Sequence, residues 1–575
     1  MKRGRDASSS DKSASPSPKR HRRLRETTPS RLNVAHQQQA APVLNQTDDQ
    51  TDEITPLVVP EPSAKTTVHA KKPVKMKPSK EEREQFYYGM DYSEADPPEL
   101  IARSSTFLFQ PYTKATQDKP EEWMKMRNSR TLSTIGNHKI VSIYDSKLRA
   151  KVLDILSDIP WKSIDIVRVG CKDDDNHPPV VLITAAASEV DDDDAQDAVQ
   201  QIHELMLKHD LPDVHGEIKT GQVFELETYH SGNRYPLELV RVPKMGYSIS
   251  NADLTSAGSI CLFLKIDDVN YALTCQHVVT SLQEAFTPGK GKDLIVQPSK
   301  EDLEDDVNIL NRRIEEAQTY LDNVAAGKLK YDRGEGPPPA ATEKQIETTT
   351  TQLARDRERT TAMESAMEEV RLPFGTLMCA PGITPHPTTN FRRDWALIKL
   401  NEDRFQSLPP NILPPTHFST TERDTITKIY GTLAKDIDLD FSKPVTTIRS
   451  LPEVKGVLHG SGPSDHKGQE SLRVVKHGRT SGWTSGSLNE IRSDCCLGKK
   501  TTEYCVVNVP GLNRFSYEGD SGSCVLDLDG RIVGMLHSGN GTGLPFGLEI
   551  TYVAPFEWLL QDIKETLGTE NVVIE

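Results

Sequence analysis

Cysteine is scarce in this chain, and the eight present follow no framework. Cys495 and Cys496 are adjacent and no CxxC pair occurs, which argues against a disulfide scaffold and against a zinc site. The cysteines are therefore expected to be reduced and structural, and no cofactor is called for. No run of about 18 apolar residues occurs, so no membrane span is expected. The N-terminus has no apolar core of the kind a secretory leader carries, so the protein is expected inside the cell, nuclear or cytoplasmic, and not secreted. Hydrophobic residues make up only 35% and charged residues 27%, lean for a chain packed throughout. A net charge of −15 speaks against nucleic acid as the partner of the whole protein.

What is present divides by composition. The 575 residues exceed what one core organises. Residues 1–88 are rich in Ser, Pro, Gln, Thr and Lys with no apolar period, and are expected to be a disordered tail. Its first 35 residues carry ten basic and three acidic side chains, opposite in sign to the whole. Lys19, Arg20, Arg22, Arg23 and Arg25 follow Pro18 with the spacing of a nuclear localisation signal, which would bind an import receptor. A solvated charged tail has the same composition.

Residues 89–235 are expected to form an α+β regulatory or binding domain. Short apolar runs at 140–143, 163–170, 179–186 and 217–226 read as strands, and 146–158 and 195–209 as helices. The order β-α-β-β-α-β matches a ferredoxin-like, split βαβ pattern. From 245 to 570 the pattern changes to short strands between Gly, Pro and Asp turns, as in an all-β domain. Within it, Leu303, Val307, Leu310, Ile314, Ala317, Leu321 and Val324 repeat in steps of four and three, a heptad seam. A Gly-Pro turn at 334–339 follows. Ile346, Leu353, Met363, Met367 and Val370 then continue near the same register. Residues 299–370 are thus expected to form an antiparallel helical coiled-coil hairpin inserted in the β domain, with a protein partner as its occupant.

Three strings carry chemistry. Ser521 lies in Gly519-Asp520-Ser521-Gly522-Ser523, followed by apolar runs joined at Asp529-Gly530. A serine hydroxyl needs a base to become a nucleophile, and Gly519 allows the turn that lets the N–H groups of Gly519 and Ser521 converge on one oxygen. His277 ends a strand-turn-strand pattern in Leu273-Thr274-Cys275-Gln276-His277-Val278, a position suited to a general base. Asp394 precedes the apolar strand Trp395–Leu400, where it can orient an imidazole. Each residue taken alone is also compatible with an ordinary structural role.

These strings, in the order His, Asp, Ser, resemble the trypsin/chymotrypsin-like serine peptidases over about 245–570. Lys476-His477-Gly478-Arg479-Thr480-Ser481-Gly482 is similar to a second-barrel segment of that group. The resemblance implies two six-stranded antiparallel barrels with the triad between them. It also implies a terminal helix over Pro555–Leu567, and hydrolysis of peptide bonds in a protein or peptide substrate through an acyl-enzyme. His277 and Asp394 are 117 positions apart, and removing 71 for the insert leaves 46, ordinary for the family. No Ile-Val-Gly-Gly start precedes His277, so activation by a freed amine is not expected. The layout resembles intracellular fungal trypsin-like peptidases, activated by prodomain release, self-cleavage or a partner. Phe515 and His537 fall where the resemblance puts the primary substrate pocket, or they pack in the core. The alternative to an enzyme is a catalytically silent protease-fold scaffold or nuclear adaptor that uses the hairpin and N-terminal domain to bind partners.

Overall fold

The computed structural model describes residues 77–87, 98–109, 130–171, 177–225, 242–288, 293–369, 372–414, 443–450, 471–509, 514–541 and 550–575. The basic cluster and the rest of the 1–76 segment lie outside them. Pro73–Glu575 is one compact unit.

Its first part has helix α1 (Lys80–Gln85) and strands β1 (Leu100–Arg103) and β2 (Arg130–Ser133), then helix α2 (Arg149–Ile155). Strands β3 (Trp161–Cys171) and β4 (Pro179–Ala185), helix α3 (Asp192–Lys208), and strands β5 (His215–Thr220) and β6 (Gln222–Glu225) follow. The expected strand at 140–143 is instead a 3-10 turn, Lys139–Ser142, in which His138 caps the Ile140 N–H. A short Val/Ile run has strand propensity, but its period does not separate strand from a buried turn. The strand that precedes β3 is β2, which runs antiparallel to it. The split pattern is also absent: β4 and β5 are direct parallel neighbours joined through α3, an unsplit βαβ. β4 is buried on both faces. Val181 and Ile183 face the α2/α3 side, and Val180 and Leu182 face Cys505, Val507 and Tyr552.

The remaining strands are β7 (Ser248–Asn251), β8 (Ala257–Ser259), β9 (Leu262–Ile266), β10 (Val269–Thr274), β11 (Leu294–Val296), β12 (Gly375–Cys379), β13 (Thr384–Pro385), β14 (Arg392–Arg393) and β15 (Ala396–Leu400). They continue as β16 (Leu472–Gly478), β17 (Gly482–Leu488), β18 (Ser493–Leu497), β19 (Lys499–Asn508), β20 (Cys524–Asp527), β21 (Ile532–Gly541), β22 (Ile550–Pro555) and β23 (Val572–Val573). The helices of this part are α4 (Gln276–Val279), α5 (Lys300–Asp332), α6 (Glu343–Glu369) and α7 (Phe556–Leu567).

One sheet is antiparallel in the order β23-β9-β10-β15-β12-β11-β7-β8. In the other, β19-β17-β16-β20-β21-β22 returns to β19, closing a six-stranded antiparallel barrel. The two share one apolar core. The N-terminal sheet is not separate. β3 pairs with β18, so both belong to one 13-stranded sheet, and β6 adds itself to β21. A buried polar knot spans the seam: Asp165 accepts from Ser163, Ser493, Asn540 and Tyr552.

The helical pair leaves the first sheet between β11 and β12, which are antiparallel neighbours. Arg313 pairs with Asp356 at 2.8 Å and Arg357 donates to Gln318, so the two helices are in contact through their polar side chains. Leu303, Leu310, Leu353 and Met363 are buried, as are the polar Asp356 and Thr360.

Candidate active site

Strand β10 ends at Thr274, and the chain turns into the single helical turn α4. Gln276 fixes that turn by donating to the Leu282 and Glu284 carbonyls and accepting from the Gly382 N–H. His277 thereby faces Asp394, which sits just before β15, the neighbour of β10. Trp395 anchors this corner by donating its indole N–H to Asp562 of α7 at 2.6 Å.

His277 Nδ1 lies 2.8 Å from Asp394 Oδ2, and His277 Nε2 lies 2.8 Å from Ser521 Oγ. A second bond, from the His277 backbone N–H to Asp394 Oδ1 at 3.2 Å, fixes the carboxylate beside the ring. A carboxylate only accepts, so Nδ1 carries the proton and Nε2 is free to accept the serine proton. The Ser521 hydroxyl also lies 2.9 Å from the His537 carbonyl, a competing acceptor for its single proton. All three side chains are buried, His277 at 4%, Asp394 at 2% and Ser521 at 0% exposure. Burial alone would raise Asp394, but its pairing with His277, which becomes an imidazolium when protonated, the positive charge of Arg392 and the imidazole hydrogen bond hold it well below the usual carboxylate range.

Gly519 takes φ +90° and Gly522 φ +89°, conformations that disfavour any side chain. A Cβ on Gly522 would come within 2.2 Å of the Ser259 carbonyl. Between the two glycines and beside Ser521, Asp520 is buried against the ammonium of Lys476 at 2.9 Å, and both side chains are fully enclosed. Ser481 Oγ and the N–H groups of Thr480, Ser481 and Tyr517 also donate to it. Burial lowers Lys476, opposed by Asp520. Sequence reasoning noted the Lys476–Gly482 string without a role for the lysine. The signal available was a lysine directly after the apolar pair Val474-Val475 on a strand, a costly placement if buried unless an anion meets it.

The two expected pocket residues part company. Phe515 is fully buried in the core, its carbonyl accepting from Thr484 and its ring 5.6 Å from the Lys476 ammonium. His537 is also buried, between Glu503 (3.3 Å) and Ser538 (2.8 Å), on the strand that carries the carbonyl facing Ser521. Sequence reasoning missed Arg392. It donates to Asp394 at 3.0 Å and pairs with Glu225 of β6, while its own N–H donates to Glu503. Strand β6 lies antiparallel along β21, with Glu225 opposite Ser538 and Val223 opposite Asn540. Of the metal-ligating side chains among the described residues, Cys275, His277 and Asp394 come within 4.8 Å of one another. Burial pushes the Cys275 thiol well up, and both other groups are engaged with each other, so the set fits a hydrogen-bonded relay better than an ion.

No protein-family model and no curated protein matches the sequence. Among solved structures, the chain is similar to a glutamic acid specific serine protease that utilizes a histidine triad in substrate binding. That likeness has 11% identity and a TM-score of 0.26, and covers 58% of this chain and 100% of the other. It is similar to protease A of Thermobifida fusca at 11% identity and TM-score 0.26, covering 56% and 94%. A chymotrypsin of Cellulomonas bogoriensis follows at 14% identity and TM-score 0.19, covering 36% and 76%. The neighbours are chymotrypsin-like serine proteases.

Proposed function

We propose that this protein is a serine endopeptidase, with Ser521 as nucleophile, His277 as general base and then acid, and Asp394 as the group that orients and steadies the imidazole. The observation that carries the reading is the unbroken relay from Asp394 through His277 to Ser521, with 2.8 Å at both links. In acylation the Ser521 oxygen bonds to a substrate carbonyl carbon while its proton passes to His277 Nε2. That proton then leaves with the amine of the broken peptide bond. Water repeats the sequence in reverse roles to release the acid. The amides of Gly519 and Ser521 are the proposed donors to the oxyanion, each worth about 3 kcal/mol of transition-state stabilisation. The depressed Asp394 supports the same assignment, since a carboxylate that stays ionised can hold an imidazolium.

The burial of the triad and the position of β6 indicate a resting form. An extended substrate can add itself to an exposed strand edge, and the edge of β21 beside Ser521 carries β6 of the same chain. The proposed activity is therefore a processing one inside the cell, released when β6 leaves. The basic cluster at Lys19–Arg25 is its proposed address, and the helical pair at 299–370 a proposed partner site. The same burial favours a second reading, a silent protease-fold scaffold.

Fluorophosphonate labelling separates the two. The full-length protein should label slowly, Ser521→Ala not at all, and Phe224→Pro faster than native, because proline removes a ladder N–H from β6. Labelling that persists in Ser521→Ala, or is absent from both native and Phe224→Pro proteins of native-like fold, would establish the scaffold reading instead.

A further inference from the structure

The inserted helices are tied to the nucleophile loop by a buried ion pair, and we infer that Asp302 of α5 is a positioning residue for the oxyanion-forming segment Gly519–Ser521. The inference rests on the endopeptidase reading and names a further residue that it requires.

The chain enters α5 at Ser299, itself buried, whose N–H donates to Ser248 and whose hydroxyl accepts from the Asp302 N–H. This cap fixes the first turn and aims the Asp302 carboxylate into the protein rather than outward. There it receives Arg479 side-on, Nε to Oδ2 at 2.8 Å and an Nη to Oδ1 at 2.5 Å. Arg479 is 1% exposed and Asp302 1%. A two-point guanidinium–carboxylate contact sets orientation as well as distance. Taking both charges out of water gains little stability over an apolar pair of the same size. What such a pair does confer here is a fixed place for the Arg479 backbone.

That backbone touches the reaction centre through one serine. The Arg479 N–H donates to Ser259 Oγ at 2.9 Å, and the same hydroxyl donates to the Gly519 carbonyl at 3.1 Å. The Ser259 N–H donates to the Ser521 carbonyl at 2.7 Å. Ser259 thus grips the loop on both sides of Asp520. The residues after Arg479 close the circle, since the Thr480 and Ser481 N–H groups donate to Asp520 Oδ1. A shift of Arg479 has nowhere to go except into the peptide units that carry the proposed oxyanion donors. Asp302 reaches none of the reacting atoms. It acts through Arg479 and Ser259, and it makes the foot of a helix of 33 residues a mechanical neighbour of the oxyanion site.

The test uses the full-length protein with the β6-opening Phe224→Pro change as background, and measures saturation kinetics of fluorophosphonate labelling. Asp302→Ala should lower the limiting inactivation rate by about 10- to 100-fold, somewhat less than removal of an oxyanion donor outright. The concentration for half-saturation should stay within about twofold, because no substrate contact is lost. Asp302→Asn keeps the shape and one acceptor oxygen and should fall between. Asp302→Glu should recover part of the rate. Hydrogen exchange of the 514–524 peptide should speed up in Asp302→Ala while that of 161–171 is unchanged, a readout that holds even if the alanine variant loses stability overall. An unchanged limiting rate, or exchange rising equally in both peptides, overturns the inference and leaves the endopeptidase reading standing. Absence of labelling in the background protein overturns both.

Discussion

Replacing Lys476 by methionine removes the cation facing Asp520, together with its bond to the Ser481 hydroxyl. The side chain is enclosed, so methionine fills most of its volume. Deleting one partner of a buried ion pair costs about 3–5 kcal/mol because the other charge is stranded. Asp520 keeps the Ser481 hydroxyl and the N–H groups of Tyr517, Thr480 and Ser481, so the loss should fall at the low end, about 3 kcal/mol. Urea midpoints of Lys476→Met and native protein at pH 7.5 measure it. Labelling of Ser521 should slow by about 100-fold at neutral pH, because the peptides on either side of Asp520 are the proposed oxyanion donors. The double change Lys476→Met with Asp520→Asn should restore stability without restoring the rate. A single variant within about 1 kcal/mol of native at pH 7.5 would refute the reasoning.

Asp165, at the seam of the two sheet halves, is pushed up to about 6 by burial against the pull of its Ser493 and Ser163 hydrogen bonds. A carboxyl raised in the folded state gives stability that is fullest below its unfolded pKa and is lost as pH rises through about 6. Limited proteolysis of the N-terminal sheet should therefore accelerate between about pH 4 and 6 in native protein, the interval between the ordinary and the raised value. In Asp165→Asn it should show no such step. Gly522→Ala should abolish labelling and lower the thermal midpoint, since the new Cβ meets the Ser259 carbonyl at 2.2 Å on a backbone with φ +89°. In the helical pair, Arg313→Leu alone should destabilise by stranding Asp356, whereas Arg313→Leu with Asp356→Leu should be neutral or stabilising by about 1 kcal/mol, read from helix melting by circular dichroism.

The site was legible where chemistry is written in consecutive residues. Gly-Asp-Ser-Gly encodes its own turn, and both glycines take the positive φ that only glycine adopts cheaply. The strand before His277 and the one after Asp394 are self-evident apolar runs, and they pair side by side. Elsewhere local patterns misled. Ile140, Val141 and Ile143 belong to a turn because the strand position beside β3 is taken by Arg130–Ser133, a segment with one large apolar residue. The seam of the helical pair was plain on α5 and sparser on α6, where Asp356 and Thr360 hold buried positions through bonds that no periodicity records.

What no local pattern could yield is the set of partners that converge on residues 519–521. Lys476 and Ser481, Ser259 and, through Arg479, Asp302 come from three separate segments, 260 positions away in the case of the Ser259–Gly519 bond. Sequence spacing says nothing about such contacts because loop closure over that distance adds only a slowly growing entropic cost, leaving the pairing to be chosen by the folded packing. One consequence separates fold from activity. Loss of Asp302 or Lys476 leaves His277, Asp394 and Ser521 in place, and with them every string by which a hydrolase is read from sequence. The proposed oxyanion donors are nonetheless held from outside those strings, by charges buried in an inserted helix and in a strand of the closed barrel. On the proposed function, a chain of this architecture can keep all three residues and still be catalytically silent, and residues 302, 476 and 479 are the proposed determinants of which it is.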